Sequence, residues 1–424
     1  MARTVGNRSL SPLTFWLLVT IFILPIVIKF NWPNARDSAV YVDAFSILIN
    51  GGNPYEGGTF RAGLFGSSLF FSISALVPQS IEAIVFIILG ICGLVFFITT
   101  IFRINYRMFD LFAIVVIVWS SANRESLNNI QITGILLALT SISIISIEKL
   151  CVNHNKSFLF VGSIAAAIAI DLKPHLVLPC LTLFLFARRC FKFAGVTSII
   201  WLLSHLIIDL FSGKSWTLVW FEVLSGLALP SPGTTRKDFI GFWSIISTFL
   251  GESYFLSVVP YVLILILLIF SIRIQFKGKA EIVVVGFSIS LFTTYTHYYD
   301  YIPIIAICVM TLMGKASRSI HYGFLGIIML SQNIKSVEGL YLVSLVLVIF
   351  FVLNLNLGDY SSLFIEVRKL LGGLTLFLVL HLVFNYFSKI DYDQSAVSAF
   401  CILLLCWIVF IRTWNANKQS LSQG

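Results

Sequence analysis

The segment from Arg36 to Tyr55, RDSAVYVDAFSILINGGNPY, places two carboxylates, Asp37 and Asp43, directly after the first long apolar run of the chain. A carboxylate held at a lipid–water boundary can take a proton from a substrate hydroxyl. Asp37, Tyr41 and Phe45 recur at helical spacing, and Gly51, Gly52, Asn53 and Pro54 then stop the short helix with turn chemistry. Two roles stand open for Asp37: general base, or cap of the helix it begins. Asp43, six residues on, falls on the opposite flank and is either solvated or paired with Arg61.

Other polar groups interrupt apolar sequence further on. His297 and Asp300 lie three residues apart in THYYD, a spacing that shares one helix face. They form either a titrating pair or part of an interfacial aromatic belt with Tyr295, Tyr298, Tyr299 and Tyr301. Asp171 and Lys173 flank Leu172 before Pro174; they pair with each other, or Lys173 is free to hold a phosphate. Arg236 and Lys237, after the Pro230–Gly233 turn, and Arg124 beside Glu125 are phosphate contacts or solvated loop charges. His205 and Asp209 are four apart, but two ligands without a third do not make a metal site.

The elements that must position these groups are spans. With 58% hydrophobic and 11% charged residues among 424 and a mean hydropathy of +0.97, the composition is that of an all-α polytopic membrane protein. Apolar runs occur at 12–30, 81–102, 109–121, 132–147, 158–170, 176–186, 195–211, 254–272, 282–295, 302–313, 322–330, 340–355, 370–387 and 396–411. Several are shorter than the roughly 17–25 residues of a lone spanning helix, which leads to an expectation of about 12 to 14 spans. The first run is longer than a signal h-region and lacks a small-residue cleavage site, so it reads as retained.

An inside N terminus puts most of the 28 Lys and Arg in inner loops and most of the 19 carboxylates outside. The net charge of +9 then reads as topology and affinity for membrane lipids, with no nucleic-acid partner. The seven cysteines carry no CxxC or metal-ligand spacing, and neither disulfides nor zinc are expected. Outer segments at 31–80 and 212–253 are long and rich in aromatics, Gly and Pro. Residues 1–338 read as a catalytic transmembrane module and 339–424 as helical scaffold.

The ordered motifs carry a resemblance. Asp37-x-x-x-Tyr41, then Gly51-Gly52-Asn53-Pro54-Tyr55, resemble the first outer loop of GT-C superfamily membrane glycosyltransferases, nearest to the polyprenol-phosphate-mannose-dependent mannosyltransferases of glycosyltransferase family 87. Asn128-Asn129-Ile130-Gln131-Ile132-Thr133 is similar to that family's Asn-x-x-Gly-Gln-x-Asn region, Leu172-Lys173-Pro174 to its Leu-Lys-x-x-Pro, and Thr296–Asp300 to its late His-bearing segment. Two departures stand out: Phe60-Arg61-Ala62-Gly63-Leu64-Phe65 replaces the usual Tyr-Pro-Pro, and Ile130 precedes Gln131 where the family has Gly.

The resemblance implies a GT-C-like fold with interfacial helices in the first outer loop, at the cytoplasmic membrane with its site facing the periplasm or cell exterior. It implies a hexosyltransferase that moves a mannose-like sugar from a polyprenyl-phosphate donor to a glycolipid or glycan acceptor. Asp37 and His297 are the expected catalytic residues. Tyr41, Tyr55, Arg61, Gln131, Lys173, Arg236, Lys237 and Asp300 are the expected substrate contacts, with no metal and no cofactor. Two rivals are a lipid-linked-sugar or polysaccharide transporter, which wants internal repeats, and an O-antigen-type polymerase or ligase, which wants Arg-rich outer loops.

Overall fold

The computed structural model describes residues 9–29, 36–56, 60–78, 81–120, 123, 126–127, 130–153, 156–228, 254–274, 276, 278–290 and 298–312. Every regular element among them is helical. In chain order these are α1 (Pro12–Lys29), α2 (Arg36–Ile49), α3 (Leu64–Leu76), α4 (Glu82–Ile101), α5 (Met108–Val118), α6 (Thr133–Asn153), α7 (Ser157–Leu172), α8 (Pro174–Arg188), α9 (Phe191–Ser212), α10 (Trp216–Ala228), α11 (Tyr254–Ile274), α12 (Lys279–Ser290), a 3-10 turn (Tyr298–Tyr301) and α13 (Ile302–Leu312). The runs expected from Tyr322 onward lie outside the described residues.

Among the described residues, three helices are long and apolar enough to cross a membrane: Glu82–Ile101, Thr133–Cys151 and Phe191–Ser212. At about 1.5 Å per residue each spans about 30 Å, the thickness of a hydrocarbon core. Shorter apolar helices pack beside them. On α9, Ile199, Leu202, Leu203, Leu206, Ile207 and Leu210 are all at least half exposed. A stripe of that size left open to water would be strongly unfavourable; against acyl chains it is at rest.

Small residues let the longest helices close on one another. α6 packs on α4 and α7, and α8 on α12. A methyl group on Gly93 would run into the carbonyl of Gly134, and one on Gly134 into Gly90. Backbone contact of this kind suits helices that gain little from hydrophobic association in lipid.

The two ends of the bundle differ in chemistry. At one, Glu148 accepts Lys279 Nζ at 2.6 Å and lies 3.6 Å from Arg188 Nη2, while Lys279 also reaches the Thr100 carbonyl. The ends of α4, α6, α8 and α12 are thus joined. The run expected to end at Ile147 therefore continues as helix to Asn153, because Glu148 is paired and does not need to leave the element. Cys151 and Cys190 pair here as a disulfide with Cα atoms 6.2 Å apart, which corrects the expectation of none. Thirty-nine residues separate them in sequence, and only the packing of α6 against the α8–α9 turn brings them together.

Candidate functional site at the opposite end of the bundle

Lys173 and Arg188 bound α8 at its two ends, so Lys173 and its neighbours lie opposite the Glu148 network. Asp171, in the last turn of α7, is the centre of this end. Its carboxylate is fully buried, where an unpaired charge would be costly. It is met from three directions. Oδ2 accepts the Gly66 N–H at 2.6 Å, and Oδ1 faces His205 Nε2 at 2.6 Å and accepts Trp201 Nε1–H at 3.2 Å. Its backbone carbonyl takes the Gly63 N–H at 2.8 Å. Any side chain at Gly63 would collide with the carboxylate. The expectation that Asp171 pairs with Lys173 is corrected: Lys173 turns away and lies 2.7 Å from Asp300 Oδ1, with both side chains buried.

α9 supplies its partners by helical register. Phe193, Thr197, Trp201, His205 and Asp209 follow at intervals of four and form one ridge. His205 Nδ1 lies 3.2 Å from Thr217 Oγ1, and Asp209 Oδ1 accepts the Thr217 N–H at 3.1 Å. Both His205 nitrogens are therefore engaged within the protein. The His205–Asp209 spacing serves to dock α10, and among the described residues no group of three or more His, Cys, Asp or Glu is placed to hold a metal ion.

α10 occupies part of the segment 212–253, which read as loop. The spacing of Trp216 and Trp220, with Val223 and Leu224 beyond, is a helical signal that the Gly- and Pro-rich remainder obscures. Trp220 is buried, stacks on His205 at 5.3 Å between ring centroids, and donates Nε1–H to the Arg61 carbonyl at 3.2 Å. The two outer segments therefore meet. Tyr55 adds to the contact, with its hydroxyl donating to the Ala62 carbonyl at 3.3 Å and its ring 6.3 Å from that of Trp216. Burial, with the charges of Asp171 and Asp209 nearby, pushes the Tyr55 phenol far above its ordinary range, so it stays protonated and donates.

No protein-family model matches this chain, and no curated protein matches it.

The residues expected from sequence are not all in one place. Tyr41, Tyr55, Arg61, Lys173 and Asp300 gather at this end: Tyr41 packs edge-on to Phe60 at 5.9 Å and against Phe70 at 5.1 Å, and Tyr55 stacks on Phe60. Gln131 lies two residues before α6, half-buried, with its N–H on the Ser126 carbonyl. Asp37 is the second residue of α2, with its side chain and the residues before the helix outside the described residues. His297, Arg236, Lys237, Arg124, Asn128 and Asn129 also lie outside the described residues. Asp43 is exposed. The sequence reading did not single out Trp201, Thr217, Trp220, Gly63 or Gly66. For Trp201 the available signal was its place four residues before His205 inside an apolar run.

The segment Phe60–Gly66 is held through its backbone. Arg61 and Ala62 offer their carbonyls to Trp220 and Tyr55, while Gly63 and Gly66 present N–H groups to Asp171. A proline at either glycine position would remove the donor that position supplies.

Proposed function

We propose that this chain is a polytopic membrane glycosyltransferase of GT-C type. It moves a hexose, mannose-like, from a polyprenyl-phosphate donor to a glycolipid or glycan acceptor at the outer face of the cytoplasmic membrane. The observation that carries the reading is a convergence: a buried carboxylate–imidazole contact, Asp171–His205, and a buried ion pair, Lys173–Asp300, share one end of an apolar bundle with α2, the helix that bears Asp37. Ionisable groups kept inside an apolar helical bundle point to function. Clustered at one end, beside helices from both long outer segments, they suit chemistry at a membrane surface.

In this reading Asp37 takes the proton of the acceptor hydroxyl, whose oxygen forms the new bond to the anomeric carbon. The bond from that carbon to the phosphate oxygen breaks, and the polyprenyl phosphate departs with the electron pair. Cationic donors stabilise the charge it gains. Lys173 holds Asp300 within the protein, so this task passes mainly to Arg61, Arg236, Lys237 and His297. No metal is required of such a site.

The test is transfer by the purified protein in nanodiscs from a synthetic polyprenyl-phosphate hexose, with chelator present and with the matching nucleotide sugar as control. Chelator-resistant transfer from the lipid donor alone is expected. Strict dependence on nucleotide sugar and manganese overturns the proposal, and movement of the lipid-linked sugar across vesicles without transfer assigns the chain to the transporter class.

A further inference from the structure

Around Asp171 the buried donors are satisfied: Trp201 and Trp220 by their indole N–H groups, Tyr55 by its hydroxyl, Gly63, Gly66 and Thr217 by backbone N–H. Trp216, like the Thr197 and Ser38 hydroxyls, departs from this. It is 5% exposed, and its Nε1–H meets no acceptor among the described residues. An indole is a donor only, and a buried donor left unmatched is destabilising. The other groups around this ring are specific. Tyr55 lies at 6.3 Å from one segment, and the Lys214 ammonium, on an exposed residue, stands 5.2 Å from the ring centroid. An indole N–H beside an ammonium is the complement of a pyranose joined to a phosphate: a hydroxyl oxygen for the N–H and an anionic oxygen for the ammonium.

We infer that Trp216, with Tyr55 and Lys214, forms the subsite for the glycosyl phosphate of the donor, the indole N–H donating to a sugar hydroxyl and Lys214 facing the phosphate. This rests on the glycosyl-transfer reading above and names the part of the donor that the α10 end of the site holds. The indole N–H is then retained at a cost to the unliganded fold and matched on binding, as buried recognition groups often are.

The experiment compares full-length wild type, Trp216→Phe and Lys214→Ala in nanodiscs. Thermal stabilisation is measured with a short-chain polyprenyl-phosphate hexose and with the same polyprenyl phosphate lacking the sugar. Trp216→Phe removes the N–H together with the five-membered ring of a buried indole, so a fall in melting temperature is expected from the cavity alone. The variant should lose the extra stabilisation given by the hexose, and its donor KM should rise roughly threefold to tenfold, the loss of one hydrogen bond, with acceptor KM unchanged. Lys214→Ala, a surface change, should weaken both lipids alike. An unchanged hexose increment in Trp216→Phe, a shift in acceptor KM alone, or unaltered lipid binding in Lys214→Ala overturns the inference. If wild type discriminates the hexose lipid but transfers nothing, the transfer reading fails while the subsite stands.

Discussion

The Lys173 ammonium lies 2.7 Å from the Asp300 carboxylate across 127 residues of chain, and both side chains are buried. The pair joins the start of α8 to the 3-10 turn that precedes α13. Removing one member strands the other in an apolar interior, which costs about 3–5 kcal/mol, whereas replacing both by apolar groups of similar size is far milder. Lys173→Met should accordingly lower the melting temperature sharply, and Lys173→Met with Asp300→Leu should restore most of it. Thermal unfolding of the three proteins in one detergent provides the check. A double variant no more stable than the single one would show that the pair is not the operative contact.

Asp37→Asn changes proton-accepting capacity and little else, because asparagine caps a helix about as well as aspartate. Transfer should fall roughly a hundredfold to ten-thousandfold, the usual span for loss of a general base, with expression and melting temperature unchanged. Turnover close to wild type in the purified variant would move the search for the base to Asp43.

Gly63→Ala sets a methyl group against the Asp171 carboxylate. The expected loss is about 1–3 kcal/mol of stability, typical of overpacking. Protection of the Gly66 amide from hydrogen exchange should fall with it, because that N–H bonds the displaced carboxylate. Unchanged exchange at Gly66 would mean that the turn relaxes without disturbing Asp171.

Tyr55 gives a pH dependence with a definite sign. Its folded-state pKa is raised above the unfolded value, near 10 for a free tyrosine, so its contribution is whole below that value and is lost as pH rises toward the folded pKa. Above about pH 10 the wild type should lose up to about 1.4 kcal/mol per pH unit on this account, while Tyr55→Phe does not. The variant begins less stable, lacking the bond to the Ala62 carbonyl, and the gap should narrow in alkaline solution. Denaturant midpoints at pH 8, about 10 and about 11 would reveal a constant gap if the phenol titrates normally.

How much of this was legible in sequence depended on distance along the chain. Local patterns carried the helices: the start at Pro12 and the helix after Arg36 stopped by Gly51 and Gly52 were readable from periodicity and turn chemistry, whereas α8 begins at Pro174, two residues before the run expected at 176–186. Partners were not readable. Asp171 lies two residues from Lys173, and proximity in sequence suggested a pair. Yet these two residues sit at the turn between α7 and α8, and their side chains leave in different directions, one to His205 on α9 and the other to Asp300 before α13. The length of α6 was missed because Glu148 and Lys149 look like a helix end, and the salt bridge that keeps Glu148 inside comes from Lys279. α10 was missed because its two tryptophans sit in a segment otherwise marked by Gly and Pro.

α9 divides its labour by face. One side carries Phe193, Thr197, Trp201, His205 and Asp209, and the other carries the exposed apolar stripe from Ile199 to Leu210. Each residue added to an α-helix turns everything beyond it by about 100°. A single inserted or deleted residue between Cys190 and Trp201 would therefore swing His205 and Asp209 off this face and bring Ile200 and Ser204, or Leu202 and Leu206, onto Asp171 in place of Trp201 and His205. The helix can exchange one outward-facing aliphatic residue for another almost at will, but its register admits no slip. A library of α9 variants should tolerate substitution along the stripe and reject every change of length.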